Sequence, residues 1–216
     1  MNGEDDELMD VAVVGGGLAG GLAVLALRAQ RPEWKIGLIE PQPIGGNHIW
    51  SFFDGDISQA GRALLQPLTD YRWDSYDVRF PAYQRHIDMA YNSMSGESLR
   101  AAVLAALGGG GLIAQGAREV TARAVVLEDG SRVRARHVVD ARGFGAVDRL
   151  DCGWQKFVGQ ALTVKGGHGL RAPTVMDVTV AQHDGYRFVY CLPFDEETVF
   201  VEDTDYSDDA ALDVMG

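Results

Sequence analysis

The sequence has only two cysteines, Cys152 and Cys191. They match no metal-ligand spacing and no disulfide framework. This sets aside a disulfide-stapled secreted scaffold and a structural metal site, and makes a reducing cytoplasm the expected setting. Basic residues are also scarce: 19 Lys and Arg face 31 Asp and Glu, a formal net charge of −12. Such a surface repels phosphate backbones, so nucleic acid is not an expected partner. No apolar run approaches the roughly 20 residues that span a bilayer. The N-terminal MNGEDDELMD lacks the basic and apolar regions of a signal peptide, so none is expected. Internal repeats and low-complexity tracts are missing as well. What is there is 216 residues, 46% hydrophobic and 23% charged, enough for one large domain or two intimately joined ones.

Residues 10–40 read as a βαβ unit. DVAVVGG is a short apolar strand. LAGGLAVLALRAQ is helical, with Leu18, Leu22, Leu25 and Ala29 expected along one face, and KIGLIE is a second strand ending at Glu40. A long irregular stretch is expected over PQPIGGNHIWSFFDGDI. Ser95 suits the N-cap of a helix over GESLRAAVLAAL, ended by the glycine run from Gly108 to Gly111. GLIAQ is a strand, and the next segment alternates through a hairpin centred on Asp129-Gly130 before a further strand, His137 to Asp140. After Asp151 the pattern becomes antiparallel, with strands in WQKFVGQALTV, TVMDVTVAQ, YRFVYCLPF and TVFVEDT.

Gly15-Gly16-Gly17-Leu18-Ala19-Gly20 satisfies G-x-G-x-x-G. Alone the pattern is weak, but here it follows a strand, opens a helix and is answered by Glu40 at the end of the second strand. Gly15 permits the tight turn, Gly17 lets the backbone approach a pyrophosphate, and Gly20 lets helix and strand pack closely. The helix N-terminus stabilises phosphate charge, and Glu40 is placed to accept from the ribose hydroxyls. The long loop and hairpin before HVVDARG resemble glutathione-reductase-like flavoproteins, which points to FAD rather than NAD. The expected fold is therefore α/β. A Rossmann-like FAD-binding region occupies 1–150, with inserted loop and hairpin segments, and a β-rich antiparallel substrate domain begins at 151 and runs to 216.

Four further blocks carry a family. GGNHIWSF (Gly45 to Phe52), DVRFP (Asp77 to Pro81), GYRFVYCLPF (Gly185 to Phe194) and FVEDTDY (Phe200 to Tyr206) resemble the signature blocks of bacterial lycopene β-cyclases. The likeness runs in order from Val11 to about Tyr206. The last block is also similar to the plant motif Phe-Leu-Glu-Glu-Thr, with Val201 for Leu and Asp203 for the second Glu. The resemblance implies an isomerase of carotenoid biosynthesis that folds the linear ends of lycopene into β-ionone rings without net redox chemistry. It also implies a requirement for reduced FAD, with NADPH as the source of electrons. Because lycopene is insoluble in water and the chain shows no spanning segment, a cytoplasmic protein associated peripherally with the membrane is expected.

VFVEDTDY then raises a physical question: why carboxylates follow an apolar strand so closely. On pattern alone the strand end simply runs into solvent. Protonating an unactivated alkene, however, needs an acid held neutral near pH 7, and desolvation raises a carboxyl pKa. Strand alternation places Phe200, Glu202 and Thr204 on one face and Val201, Asp203 and Asp205 on the other. The family motif puts the acid at Glu202, with Asp203 as the second candidate, orienting Glu202 or tuning the flavin environment. Two readings stand for several other residues. His48 and Trp50 sit against the flavin or in the core. Tyr186, Arg187 and Tyr190 shape a carotenoid tunnel or pack the interior. Arg142 meets phosphate or is a solvated loop cation. Cys152 and Cys191 are taken as structural.

Two rival functions remain. One is an FAD-dependent aromatic-type hydroxylase, disfavoured because its Asp-Gly motif is replaced by Asp140-Ala141-Arg142-Gly143. The other is a non-catalytic flavoprotein fragment. Flavoproteins of this plan carry a later Gly-Asp segment that completes the FAD site, and none is found before ALDVMG. The chain is therefore expected to be the N-terminal part of a longer cyclase.

Overall fold

The computed structural model describes residues 8–143, 151–183 and 185–211. In chain order the elements are β1 (Met9–Val14), α1 (Leu18–Gln30), β2 (Ile36–Ile39), β3 (Ile49–Phe53), α2 (Gln59–Leu65), β4 (Tyr71–Trp73), β5 (Tyr76–Phe80), β6 (Tyr83–Ile87), β7 (Tyr91–Ser95) and α3 (Gly96–Leu107). They continue with β8 (Leu112–Ile113), β9 (Ala117–Val120), β10 (Ala124–Leu127), β11 (Arg132–Asp140), β12 (Trp154–Thr163), β13 (Thr174–Asp177), β14 (Tyr186–Pro193) and β15 (Thr198–Ser207). The chain divides into two compact units. One holds the described residues of Met1–Trp50, Ile57–Asp70 and Ser93–Ala146, the other those of Ser51–Asp56, Tyr71–Asn92 and Val147–Gly216. Residues 51–56 and 71–92, counted in the 1–150 region on sequence, group with the second unit.

The first unit is built on a six-stranded sheet of order β8-β2-β1-β11-β10-β9. β1 pairs in parallel with both β2 and β11, and β2 with β8. Strands covered on both faces read as unbroken apolar runs, which is why VAVV and IGLI are buried at every position. Ala12, Val14, Ile39, Val125, Leu127 and Ala135 form a core cluster on this sheet.

Helix α1 starts and stops as the periodicity predicts, but its buried residues are Gly20, Gly21 and Val24 rather than the leucine face. The reason is close approach. A Cβ at Gly20 would lie 1.8 Å from the Gly15 carbonyl oxygen, and one at Gly21 would lie 3.0 Å from the Leu99 side chain of α3. Small residues therefore set the contact stripe, and Leu18, Leu22 and Leu25 flank it half-buried while Ala29 is exposed. Helix α3 begins at Ser95, whose hydroxyl accepts from the Ser98 amide at 3.2 Å, and ends at Gly108, which turns the chain at φ 66°.

Three strand expectations change. The stretch expected to be irregular contains β3, where Ile-Trp-Ser-Phe-Phe supplies strong strand formers; β3 belongs to a small sheet of order β3-β7-β4. The hairpin arm and the strand expected at His137 to Asp140 are one continuous β11, antiparallel to β10 in its first half and parallel to β1 in its second. In the second unit, the sheet order is β12-β15-β14-β13-β5-β6. Its strands pair antiparallel as expected except that β13, shorter than the sequence suggested, runs parallel to β5. Among the described residues no helix is long and apolar enough to cross a membrane, and no group of three or more His, Cys, Asp or Glu is placed to hold a metal ion.

Candidate functional site

The first unit carries a cleft at the carboxyl ends of β1, β2 and β11, where the chain order reverses on either side of β1, the place at which open α/β sheets take their ligands. A cavity of about 510 Å³ there is lined by Gly15, Gly17, Leu18, Glu40, Ala141 and Arg142, among others. Gly15 has φ +103°, a conformation open to glycine, and a Cβ on it would meet the Ala141 carbonyl oxygen at 2.6 Å. Gly17 is the reverse case: a Cβ there would meet nothing within 4 Å. Its backbone faces open cavity at the N-terminus of α1, where no side chain caps the first amides and no acidic residue occupies the first turn. These free amides and the helix dipole suit an anionic group.

Glu40 closes the other side. Its Oε2 accepts from the Gly16 amide at 2.7 Å and its Oε1 from the Gln42 amide at 2.8 Å. The carboxylate is thus fixed with lone pairs left for hydroxyl donors. Arg142 lines the cavity but is already forked onto Asp140, Nε to Oδ1 at 2.8 Å and Nη2 to Oδ2 at 2.7 Å. That pairing holds the Asp140 carboxyl below its ordinary value. Arg142 is therefore neither a bare phosphate ligand nor an unattached loop cation, and the Asp140 partner was overlooked although the Asp-x-Arg spacing was visible. Taken together, the glycine cradle, the uncapped helix start and the fixed Glu40 fit a dinucleotide.

His48 does not line this cavity. It is exposed, with its ring 5.5 Å from that of Trp50, so the reading of it as a core histidine does not hold. Its loop is nevertheless tied to the fingerprint, because the Gly45 amide donates to the Gly16 carbonyl at 2.9 Å. Arg100 of α3 clamps the same loop, donating to the carbonyls of Ile44 and Gly46 at 3.0 Å each. Arg100 was not singled out on sequence; a cation near the start of the helix, together with a glycine-rich loop, was the available signal.

In the second unit, Glu202 and Asp203 lie inside β15, a ten-residue strand paired on both sides, by β12 and by β14. The acidic run is therefore not a strand end leaving for solvent. Alternation separates the two carboxyls as expected. Glu202 is opposed by Gly159 on β12 and by Tyr190 on β14, and its Oε1 accepts from the hydroxyl of the fully buried Thr204 at 3.0 Å. Burial pushes the Glu202 carboxyl above its ordinary value, against the smaller opposing effect of the Thr204 hydrogen bond. Asp203, on the opposite face, is held by Arg187 in a two-pronged ion pair, Nε to Oδ1 at 2.8 Å and Nη2 to Oδ2 at 2.5 Å.

Among the described residues, Glu202 is thus partly desolvated with no cationic partner, and its neighbour Asp203 is held by Arg187. This environment suits the first for giving up a proton and the second for holding structure. Gly159 leaves room beside Glu202 that the Phe200 ring fills, since a Cβ there would meet its Cζ at 2.3 Å. Tyr186 is 41% exposed, whereas Tyr190 is held by hydrogen bonds from within. Cys191 is half-buried with burial raising its thiol pKa, and Cys152 is exposed.

Comparison with known proteins agrees with this arrangement. The family model described as lycopene cyclase protein matches residues 10–215. The chain is 38% identical over 205 residues to a lycopene beta-cyclase of Pantoea ananas, and 40% identical over 212 residues to one of Pseudescherichia vulneris. These alignments cover 94% and 95% of the chain but 54% and 55% of the relatives, so the chain spans about half the length of the curated relatives it matches. Among solved structures it is similar in fold to 2-methyl-3-hydroxypyridine-5-carboxylic acid oxygenase, with a TM-score of 0.64 at 14% identity, covering 94% of this chain and 60% of that one. It is also similar to CtdE in complex with FAD, with a TM-score of 0.60 at 15% identity, covering 96% and 62%. These likenesses agree with the α/β, Rossmann-like fold expected from the sequence. On the family match across almost its whole length, the chain belongs to the lycopene cyclase family.

Proposed function

We propose that the full-length protein is a lycopene β-cyclase that converts the linear ends of lycopene into β-ionone rings, giving γ-carotene and then β-carotene. The observation that carries this reading is Glu202, a carboxyl raised by burial and without a cationic partner among the described residues, on the sheet face shared with Phe200 and Tyr190. Such a carboxyl stays protonated closer to neutral pH than an exposed one. It gives its proton to the terminal double bond, whose π pair forms the new C–H bond and leaves a carbocation. The internal alkene attacks that cation to close the ring, and loss of one proton forms the ring double bond. One proton enters and one leaves, no electrons are transferred, and the reaction is an isomerisation.

FAD fits the cleft through Gly15, Gly17, Gly20 and Glu40, with Arg142 at its edge; bound and reduced, with NADPH as electron source, it would supply negative charge that stabilises the cation. His48, beside the loop tied to Gly16, is proposed to border the flavin. Asp203 is proposed to act only indirectly, by anchoring Arg187 and the strand that carries Glu202. The water-insoluble substrate supports a cytoplasmic protein held peripherally at the membrane.

Two outcomes check this reading. Gly17→Ala adds a methyl group to open cavity without touching protein, so thermal stability should stay within about 0.5 kcal/mol of the wild type. FAD affinity should fall at least tenfold, read by flavin fluorescence titration. Equal loss of both would mean that Gly17 serves packing instead. The second outcome is a pH profile. Because the active form of Glu202 is the neutral one and its pKa is raised, cyclisation of lycopene in vesicles should fall as pH rises through that raised value. A rate that instead increases over this range, as for a base, would contradict the role of acid. Expression of the complete gene in a lycopene-accumulating bacterium tests the function itself: β-carotene should replace lycopene, and pigment that stays linear under reducing conditions would overturn the proposal.

A further inference from the structure

The residue directly across from Glu202 on β14 is Tyr190. Opposed residues on one sheet face stand about 4.5–5.5 Å apart at Cβ. The Tyr190 residue is only half-buried, yet its hydroxyl is held from two sides. It donates to Ser51 Oγ at 2.8 Å and lies 3.0 Å from Tyr91 Oη. Tyr91 is 6% exposed and meets the Tyr190 ring edge-on, at 6.4 Å and 79°. Phe53 and Tyr76 back Tyr91, with centroids at 4.7 and 6.0 Å. Tyrosines commonly bury the ring and send the hydroxyl toward water. The Tyr190 hydroxyl is instead tied into protein hydrogen bonds, while the residue as a whole stays half-buried directly across from the acid. Burial raises the pKa of both phenols, and the Glu202 charge adds to this. Both are therefore neutral at physiological pH, and neither is a base that would quench a cation early.

We propose that Tyr190 is a catalytic residue of the cyclisation, its ring face stabilising the carbocation formed when the Glu202 proton reaches the terminal alkene, with Tyr91 and Ser51 as positioning residues that fix the ring through its hydroxyl. This rests on the reading of Glu202 as the acid. A cation is attracted to an aromatic face within about 6 Å of the ring centroid. Opposed Cβ atoms lie within about that distance of each other, so a polyene end bound between the Glu202 and Tyr190 side chains meets both. Tyr190 forms no bond and transfers no electron; only its quadrupole takes part.

The test uses the full-length protein with Tyr190→Phe as reference, followed by phenylalanines at position 190 with progressively more ring fluorines. Fluorine withdraws charge from the ring face while shape is nearly kept. The cyclisation rate should fall stepwise, roughly three- to thirtyfold across the series, with FAD content, melting temperature and KM unchanged. Tyr190→Leu should fall at least as far as the most fluorinated ring. If Tyr190→Phe does not fold, ring-fluorinated tyrosines, which keep the hydroxyl bonds, should give the same trend. A rate independent of fluorination, in a protein whose wild type cyclises lycopene and whose Glu202→Gln variant does not, would overturn the role of Tyr190 and leave the acid in place. A wild type that leaves lycopene linear would overturn both.

Discussion

Glu202→Gln in the full-length protein should lower the rate of ring formation roughly 10²–10⁴-fold, the range typical of a lost general acid, while FAD stays bound. The side chain keeps its size and can still accept from the Thr204 hydroxyl, 3.0 Å away in the native protein, but it has no transferable proton. Stability should not suffer. Burial raises the carboxyl pKa in the folded state, so the stability it contributes is present below the ordinary carboxyl value and is lost as pH rises through the raised one. At neutral pH the neutral amide therefore folds at least as well as the acid. Asp203→Asn is the matched control. It weakens a partly exposed ion pair with Arg187, side chains 45% and 25% exposed, a change of about 0–1 kcal/mol, and should leave cyclisation within a few-fold of the wild type. Loss of activity in Asp203→Asn but not in Glu202→Gln would reverse the assignment of the two faces.

The largest structural effect is expected from Gly20→Ala. Helical conformation itself favours alanine over glycine by roughly 0.5–1 kcal/mol, so a solvent-facing glycine would gain from the change. Here the added Cβ would sit 1.8 Å from the Gly15 carbonyl oxygen and 3.4 Å from the Ala141 side chain. The first neighbour is backbone and has no rotamer to yield, so helix and fingerprint loop must part. Overpacking of this kind costs about 1–3 kcal/mol or more. The variant should show a melting temperature several degrees lower and no retained flavin. Unchanged stability together with full FAD content would refute the close approach of α1 to the fingerprint turn. The contrast with Gly17→Ala is diagnostic, since that glycine faces open space and its loss should be felt only by the ligand.

Much of this was readable in the chain, and for identifiable reasons. The βαβ unit announces itself because buried parallel strands must be continuously apolar and the glycines fall between strand and helix. The separation of Glu202 from Asp203 follows from the two-residue period of a strand alone. The buried stripe of α1 was misread because hydrophobicity favours its leucines, whereas packing distance favours Gly20 and Gly21. The acidic stretch was ambiguous because composition cannot tell an edge from a centre: β15 is central because β12, which precedes β13 and β14 in the chain, pairs with the edge that its neighbour β14 leaves open. The Arg187 pairing and the Ser51, Tyr91 and Tyr190 hydroxyl contacts were beyond reach because they join separate strands. Their roles come from partners, and the Ser51–Tyr190 bond joins residues 139 positions apart.

The most direct measurement is the mass of the product formed in D2O. The full-length wild-type protein, given FAD reduced by NADPH and lycopene in vesicles, should place one solvent deuteron in each new ring, with no consumption of NADPH or oxygen in proportion to product, and Glu202→Gln should cut ring formation and label together by the same roughly 10²–10⁴-fold. Rings formed without deuterium, or product formed with matching consumption of NADPH and oxygen as in a hydroxylase, would contradict proton-initiated cyclisation by Glu202.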